Sequence, residues 1–350
     1  MKRCSESAPH VGGYRSGEIR WQSPRRPRKN SSTSNMKALV TGGAGFIGSH
    51  ICEALCRRGV KVVVLDNLST GNVRNLDWKK SGDELDFVQG EVADEALVKK
   101  LVAGCDWVFH EAAQPSVPLS VAQPVQTNRD NLDASLALLV AARDAGVKRF
   151  MFASSSAVYG DSAAPVKHES HAVAPISPYG LQKYAAERYG QLFHQLYGFE
   201  AISFRYFNVF GPRQSFNSPY SGVIAKFCTI MLEGKAPLIF GDGLQTRDYV
   251  YVENVVNANL LAAEGDAKKV AGQVFNVGCG ESITLLQLAA ELNKLTGQNL
   301  APSHQPPRTG DIKHSAADIS AARAGLNYVP HVTWQKGLEH TLAFYRAGNK

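Results

Sequence analysis

At 350 residues, 44% of them apolar and 20% charged, the chain is long enough for about two domains around a buried core. No run approaches the ~18 consecutive apolar residues that a membrane-spanning helix needs, so a soluble protein is expected. The formal charge of +7 does not indicate a nucleic-acid partner either: residues 1–35 carry eight Lys or Arg against Glu6 and Glu18, a net +6, which leaves +1 for the remainder.

That basic segment lacks the apolar stretch of a secretory signal and is expected to be a disordered tail. The six cysteines (Cys4, Cys52, Cys56, Cys105, Cys228, Cys279) form no CxxC pair and read as buried thiols of a reducing compartment, the cytoplasm, with Cys52 and Cys56 on one helix face. The histidines show no metal-ligand grouping, and His168 and His171 read as a solvated pair, so no metal is expected.

From Met36 onward, short β-branched runs alternate with helical stretches. Strands are predicted at 37–41, 61–65, 86–89, 107–110, 149–154 and 201–205, with helices between them at 49–58, 96–103 and 132–145. This alternation implies parallel strands with right-handed helical crossovers, a doubly wound α/β sheet over residues 36–205. After Arg205 the pattern changes to a turn-rich 212–219, helices at 223–233 and 285–295, and a late loop broken by Pro302, Pro306 and Pro307. Residues 206–350 are therefore expected to form a smaller mixed α/β domain that caps the first, with some chain returning to it.

The stretch from Val40 to Gly48 joins the first strand to the first helix and places glycines at 42, 45 and 48. Glycine there permits a tight turn and close approach of backbone to a pyrophosphate held by helix N-terminal amides. The second strand ends at Asp66, about where a carboxylate accepts hydrogen bonds from an adenosine ribose and repels a 2′-phosphate. The expected cofactor is NAD rather than NADP; the other reading is a glycine-rich turn without a ligand.

Tyr179 and Lys183 lie four residues apart, on one face of a helix opened by Pro178. A phenol with an ordinary pKa of about 10 acts as a base at neutral pH only if shifted by about 3 units, roughly 4 kcal/mol. Lys183 and the cofactor's nicotinamide charge are the expected sources. The serine run Ser154, Ser155 and Ser156 at the end of a strand supplies a hydroxyl to the same place, or simply strand-end hydrogen bonds.

The glycine spacing, the segment from Asp66 through Asn67, Ser69 and Thr70 to Gly71, the strand end from His110 to Gln114, and Asn131 resemble the extended short-chain dehydrogenase/reductase superfamily, built on a Rossmann sheet. The resemblance implies a Ser155/Tyr179/Lys183 catalytic set. It implies cofactor contacts from Gly42, Gly45, Phe46, Ile47, Gly48, Asp66, Asn67, Ser69, Thr70, Gly71, Glu91, Val92, Ala112, Ala113, Gln114, Asn131, Ser154 and Tyr206. Glu91 departs from the aspartate usual near the adenine.

Later segments, 205–213, 241–249 and 308–311, are similar to those of UDP-sugar 4-epimerases, and the likeness extends from Met36 to Tyr345. It implies diphosphate contacts from Asn208, Arg247 and Arg308, a uridine-ribose contact from Asp311, and sugar-side contacts from Ser116, Val117, Ser155, Ser156, Gly222, Val223 and Tyr249. Two arginines facing a diphosphate make charge-assisted, potentially bidentate contacts. For Phe207 and Tyr249, core packing is the competing expectation. Ser315, where hexose-restricted relatives carry a bulky residue, implies room for an N-acetyl group, in the pattern of UDP-N-acetylglucosamine 4-epimerases. Dehydratases of the superfamily follow the strand-end hydroxyl with an Asp-Glu pair; here Ser156 and Ala157 stand there, which disfavours water elimination. The expected activity is interconversion of UDP-GlcNAc with UDP-GalNAc, together with UDP-Glc and UDP-Gal. Alternatives are a UDP-hexose or UDP-hexuronate 4-epimerase, or a non-catalytic NAD-binding scaffold. The resemblance also implies a homodimer joined through the helices at 132–145 and 179–197.

Overall fold

Apolar runs buried on both faces form the central strands, as the KVVVLD sequence of the second requires in a parallel sheet covered by helices on each side. The computed structural model describes residues 35–216, 222–307 and 313–348. The expected tail lies, up to residue 34, outside them. The first strands are β1 (Lys37–Thr41), β2 (Lys61–Asp66), β3 (Leu85–Gln89), β4 (Trp107–His110), β5 (Arg149–Ser155), the short β6 (Val166–Lys167) and β7 (Ala201–Tyr206). Then come β8 (Asn208–Phe210), β9 (Leu238–Phe240), β10 (Thr246–Arg247), β11 (Tyr249–Tyr251), β12 (Val274–Val277), β13 (Ile283–Thr284), β14 (Ser303–Gln305) and β15 (His314–Ala317).

Seven strands make one parallel sheet in the order β12-β7-β5-β4-β1-β2-β3. The chain winds outward from β1 in both directions, so the switch point lies between β1 and β4, where Thr41 stands opposite His110. Ligands of such sheets bind in the crevice at the carboxyl ends of these strands.

The helices in chain order are α1 (Phe46–Arg57), α2 (Glu95–Val102), α3 (Val117–Ala122), α4 (Pro124–Asn128), α5 (Ala134–Asp144), α6 (Pro178–Tyr197), α7 (Val223–Leu232), α8 (Val252–Glu264), α9 (Ala267–Val270), α10 (Leu285–Thr296), α11 (Ser320–Leu326) and α12 (Trp334–Arg346). One face of the sheet is covered by α1, α8 and α11 through Ile51, Leu55, Val255, Leu260 and Ala322. The other is covered by α2, α5 and α6 through Val98, Leu138, Leu139 and Phe193. A third cluster unites α7, α10 and α12 through Ile224, Phe227, Leu288, Leu292, Leu338 and Leu342. The smaller part also carries a mixed sheet, β13-β10-β15-β6. Chain beyond residue 206 returns to the large sheet, since β12 pairs with β7 and α8 packs beside α1.

The helix expected at 132–145 is preceded by a π turn, Arg129–Asp133, before α5 begins at Ala134. A π turn accommodates an extra residue that a 3.6-residue periodicity cannot reveal. Asn131 lies within it and is turned into the interior.

Candidate active site

The glycines are needed for contacts between segments of the chain itself. Gly42 has φ +68°, its N–H donates to Leu65 O at 2.8 Å, and its carbonyl accepts from Gly45 N at 3.0 Å. A Cβ on Gly42 would stand 2.7 Å from Ala112 N, and one on Gly48 would stand 2.2 Å from Gly42 O. The turn is thereby closed against the end of β4. Gly45 caps α1 without any side-chain acceptor, and no acidic residue sits in the first turn. Free amides at that end of a helix dipole fit a pyrophosphate.

Asp66 ends β2 with 6% exposure. Its Oδ2 accepts from Ala44 N at 3.0 Å and its Oδ1 from Leu68 N at 2.8 Å, so the carboxylate ties the glycine turn to the loop after β2. Gly71 lies against the same carboxylate, and Asn72 N and Asn75 Nδ2 both donate to Ala44 O at 2.9 Å. Farther out, Asn67 Nδ2 donates to Glu91 Oε2 at 3.0 Å, and Asn67 Oδ1 accepts from Ser69 N at 2.9 Å. Glu91 is exposed and pairs with Asn67; Val92 is buried, and Ser69 and Thr70 are exposed. Turn, helix terminus and acidic strand end together fit a dinucleotide.

Next to the turn, His110 spans Thr41 Oγ1 at 2.7 Å and Ser135 Oγ at 2.8 Å, and burial holds its imidazole down at about 3, with Lys183 adding to the fall. Ala112, Ala113 and Gln114 are half-buried at the β4 end. Asn131, expected at the cofactor, is 1% exposed and uses its amide internally: Oδ1 accepts from Gln114 N at 2.7 Å, while Nδ2 donates to Gln114 O at 3.1 Å and Gln182 Oε1 at 2.9 Å. Its side chain shapes the Gln114 loop, onto which the π turn directs it.

Ser177 Oγ accepts from Gly180 N at 3.1 Å and Pro178 occupies the first turn, which fixes where α6 starts and so where Tyr179 and Lys183 point. Lys183 is 3% exposed, donates to Ala153 O at 2.7 Å and lies 4.9 Å from the Phe152 ring centre. Burial lowers its ammonium to about 8, against an opposing pull from Glu111. Ser155 Oγ accepts from Ala157 N at 3.2 Å and hydrogen-bonds the half-buried Tyr179. Ser155 and Tyr179 therefore meet, and Lys183 lies one helical turn farther along α6. Burial pushes the Tyr179 phenol above its usual range, Ser155 pulls it down, and Glu111 adds to the rise. Desolvation dominates, and the opposing pull comes from Ser155.

Ser156 starts a 3-10 turn, Ser156–Tyr159. Ser154 faces the other way: its Oγ donates to Glu187 Oε2 at 2.9 Å, and Glu187 is held by Arg205 at 3.0 and 2.6 Å in a pair that is 1% and 4% exposed. Ser154 and Ser155 thus both make strand-end structural bonds, that of Ser154 to a buried ion pair. Tyr206, expected near the nicotinamide, donates to Glu111 Oε1 at 2.9 Å and accepts from Asn259 Nδ2 at 2.7 Å. Glu111 carries no expected role from the sequence; its signal there is a charge directly after a buried apolar strand.

On the smaller sheet, Arg247 and Ser315 are register partners of β10 and β15, and Arg247 Nη1 donates to Thr246 O at 2.9 Å. Asn208 Nδ2 donates to Asp248 O at 3.0 Å. Asp248, also unassigned from sequence, is fully buried and accepts from Cys279 N at 2.8 Å, Gly280 N at 3.0 Å and Ala317 N at 3.2 Å, while burial raises it to about 6. It fastens β11, the turn after β12 and β15 to one another, and so fixes Arg247 beside Ser315. Gly222 caps α7 and Val223 begins it. Ser116 caps α3, with Oγ accepting from Leu119 N at 3.1 Å, and Val117 is exposed beside it. Tyr249 and Phe207 are each 4% exposed and pack into the core, Tyr249 edge-on to Phe210, so the sugar-side role expected of Tyr249 gives way to core packing. Arg308 and Asp311 lie outside the described residues.

Residues 38–278 match the model of the NAD dependent epimerase/dehydratase family. The chain belongs to that family. Over 313 residues it is 38% identical to the UDP-glucose 4-epimerase of Mycolicibacterium smegmatis, covering 89% of this chain and 99% of that one. Among solved structures, it is similar to the UDP-N-acetylglucosamine 4-epimerase of Methanobrevibacter ruminantium in complex with UDP-N-acetylmuramic acid, at 40% identity and TM-score 0.85, covering 89% and 99%. It is also similar to the UDP-glucose 4-epimerase of Thermus thermophilus in complex with NAD, at 37% identity and TM-score 0.79, with the same coverage. The family's cofactor is NAD.

Proposed function

We propose that the chain is a UDP-sugar 4-epimerase that interconverts UDP-GlcNAc with UDP-GalNAc and, alongside them, UDP-Glc with UDP-Gal. The observation that carries this reading is the hydrogen bond between Ser155 and Tyr179, with the buried Lys183 one turn along α6 and held by the Ala153 carbonyl of β5. NAD held there would supply reversible hydride chemistry at the sugar C4. Ser155 orients the sugar O4, and Tyr179 takes the O4 proton and later gives it back. Lys183, fixed by Ala153 O, keeps a cation beside the phenol. Arg247, with Arg308, anchors the diphosphate while the sugar turns over, so binding strength is placed away from the reacting carbon. A small Ser315 beside Arg247 supports acceptance of an N-acetyl group.

Incubating the purified protein with UDP-Glc, UDP-GlcNAc, UDP-glucuronate and UDP-N-acetylglucosaminuronate separates this reading from its rivals. Turnover of the first two is expected; turnover of the uronates alone would replace it. Ser315→Tyr is expected to abolish the N-acetyl activity and keep the hexose activity, and unchanged N-acetyl turnover would remove the gatekeeper role. We further propose a homodimer through α5 and α6, supported by Leu196 and Tyr197, which are 67% and 55% exposed on α6. Sedimentation as a monomer would contradict it.

A further inference from the structure

Glu111 sits where the two faces of the large sheet meet. It follows β4 directly, and because His110 pairs with Phe152, it lies next to Ala153, whose carbonyl holds the Lys183 ammonium on the α6 side. From the α8 side, Tyr206 Oη reaches Glu111 Oε1 at 2.9 Å and is itself held by Asn259 Nδ2 at 2.7 Å. Asn259 also donates to Val255 O at 3.0 Å within α8, and its Oδ1 is buried with no partner, so the amide is held in its donor orientation by Tyr206 and α8 alone. Such a chain costs desolvation and is unnecessary for packing, since an apolar residue at 111 would remove the need for it. The ionisable groups that face Glu111 are Lys183 and Tyr179 from α6 and Tyr206 from β7; His110 on its own strand is neutral at physiological pH.

We infer that Glu111 is a positioning residue for proton transfer: held by Tyr206 and Asn259, its charge state determines whether the Tyr179–Lys183 couple rests as an acid or as a base. The inference rests on the epimerase reading. Physically, an ionised Glu111 favours the protonated forms of both Lys183 and Tyr179, and a neutral Glu111 releases them. Burial pushes Glu111 up to about 7, with the Tyr206 hydrogen bond opposing, so its charge changes within the working range of the enzyme. A carboxyl poised there lets one site serve both halves of a reaction that first removes the O4 proton and then restores it.

The test is a titration of phenolate absorbance in the full-length, NAD-loaded protein, each form measured against its own Tyr179→Phe counterpart so that only Tyr179 is read. Glu111→Gln keeps an acceptor for Tyr206 and removes the charge; it is expected to lower the Tyr179 midpoint by roughly 0.5–1 pH unit. The rising limb of kcat/KM against pH moves in the same direction. Glu111→Asp keeps the charge and is expected to hold the midpoint near that of the parent. A folded Glu111→Gln protein with an unmoved midpoint, or a Glu111→Asp protein shifted as far as Glu111→Gln, overturns the inference and leaves Glu111 as an anchor for Tyr206. Absence of UDP-sugar turnover in the parent would instead refute the epimerase reading, and the titration would still decide what Glu111 does to Tyr179.

Discussion

Replacing Gly48 with alanine tests whether the turn is a rigid cradle. The new Cβ would lie 2.2 Å from Gly42 O, 2.8 Å from Gly42 C and 2.9 Å from Gly43 Cα, all of them backbone atoms that cannot rotate away. Ordinary contact at about 3.5 Å would require roughly 1 Å of movement between the turn and α1. The turn is held by the Gly42–Leu65 and Gly45–Gly42 hydrogen bonds, so movement breaks or stretches them. Overpacking of this kind costs about 1–3 kcal/mol, and the absence of a side chain that could give way places Gly48→Ala at the upper end. Thermal unfolding is then expected to fall by roughly 5–10 °C. The displacement also pulls the α1 amides away from the pyrophosphate position, so NAD affinity, measured by fluorescence titration, should fall at least about tenfold, or ~1.4 kcal/mol. A Gly48→Ala protein with unchanged melting temperature and unchanged NAD affinity would refute the close packing of this turn.

Other outcomes follow from the same geometry. Tyr179→Phe removes the group that exchanges the O4 proton and is expected to lower kcat at least about 10²-fold with little change in melting temperature; turnover retained within a few-fold would assign proton transfer elsewhere. Glu187→Gln leaves the buried Arg205 cation without its partner charge, and chemical denaturation should show a loss of about 3 kcal/mol. An unchanged midpoint would mean that Arg205 finds another acceptor. For Glu111 the sign follows from a folded value of about 7 against an ordinary 4.5. Its contribution is fully present below about pH 4.5 and lost as pH rises to about 7. Glu111→Gln should therefore gain up to ~3 kcal/mol on the parent at about pH 8 and show no gain at about pH 4, measured by denaturation at both. An equal difference at the two pH values would contradict the burial of that carboxyl.

Part of the site is written in short-range signals. The glycines at 42, 45 and 48, Asp66 closing a β-branched run, and the Tyr179–Lys183 spacing behind Ser177 and Pro178 each depend on backbone geometry over a few residues. Those features are enough to place the glycine turn, the acidic strand end and the Tyr179–Lys183 face of α6. Local rules fail where a side chain's partner comes from a distant segment. Tyr206 and Glu111 are 95 residues apart, and Asp248 gathers amides from positions 279, 280 and 317. A sequence periodicity cannot tell a π turn from an α turn, so it could not show that Asn131 turns inward onto Gln114. Nor can it show whether Tyr249 faces a sugar or the core, since both readings fit the same aromatic on a strand. The proton affinity of Tyr179 is decided in the same way: the sequence supplies the phenol and the neighbouring cation, but desolvation and the field of Glu111 exist only once strands and helices have closed around them.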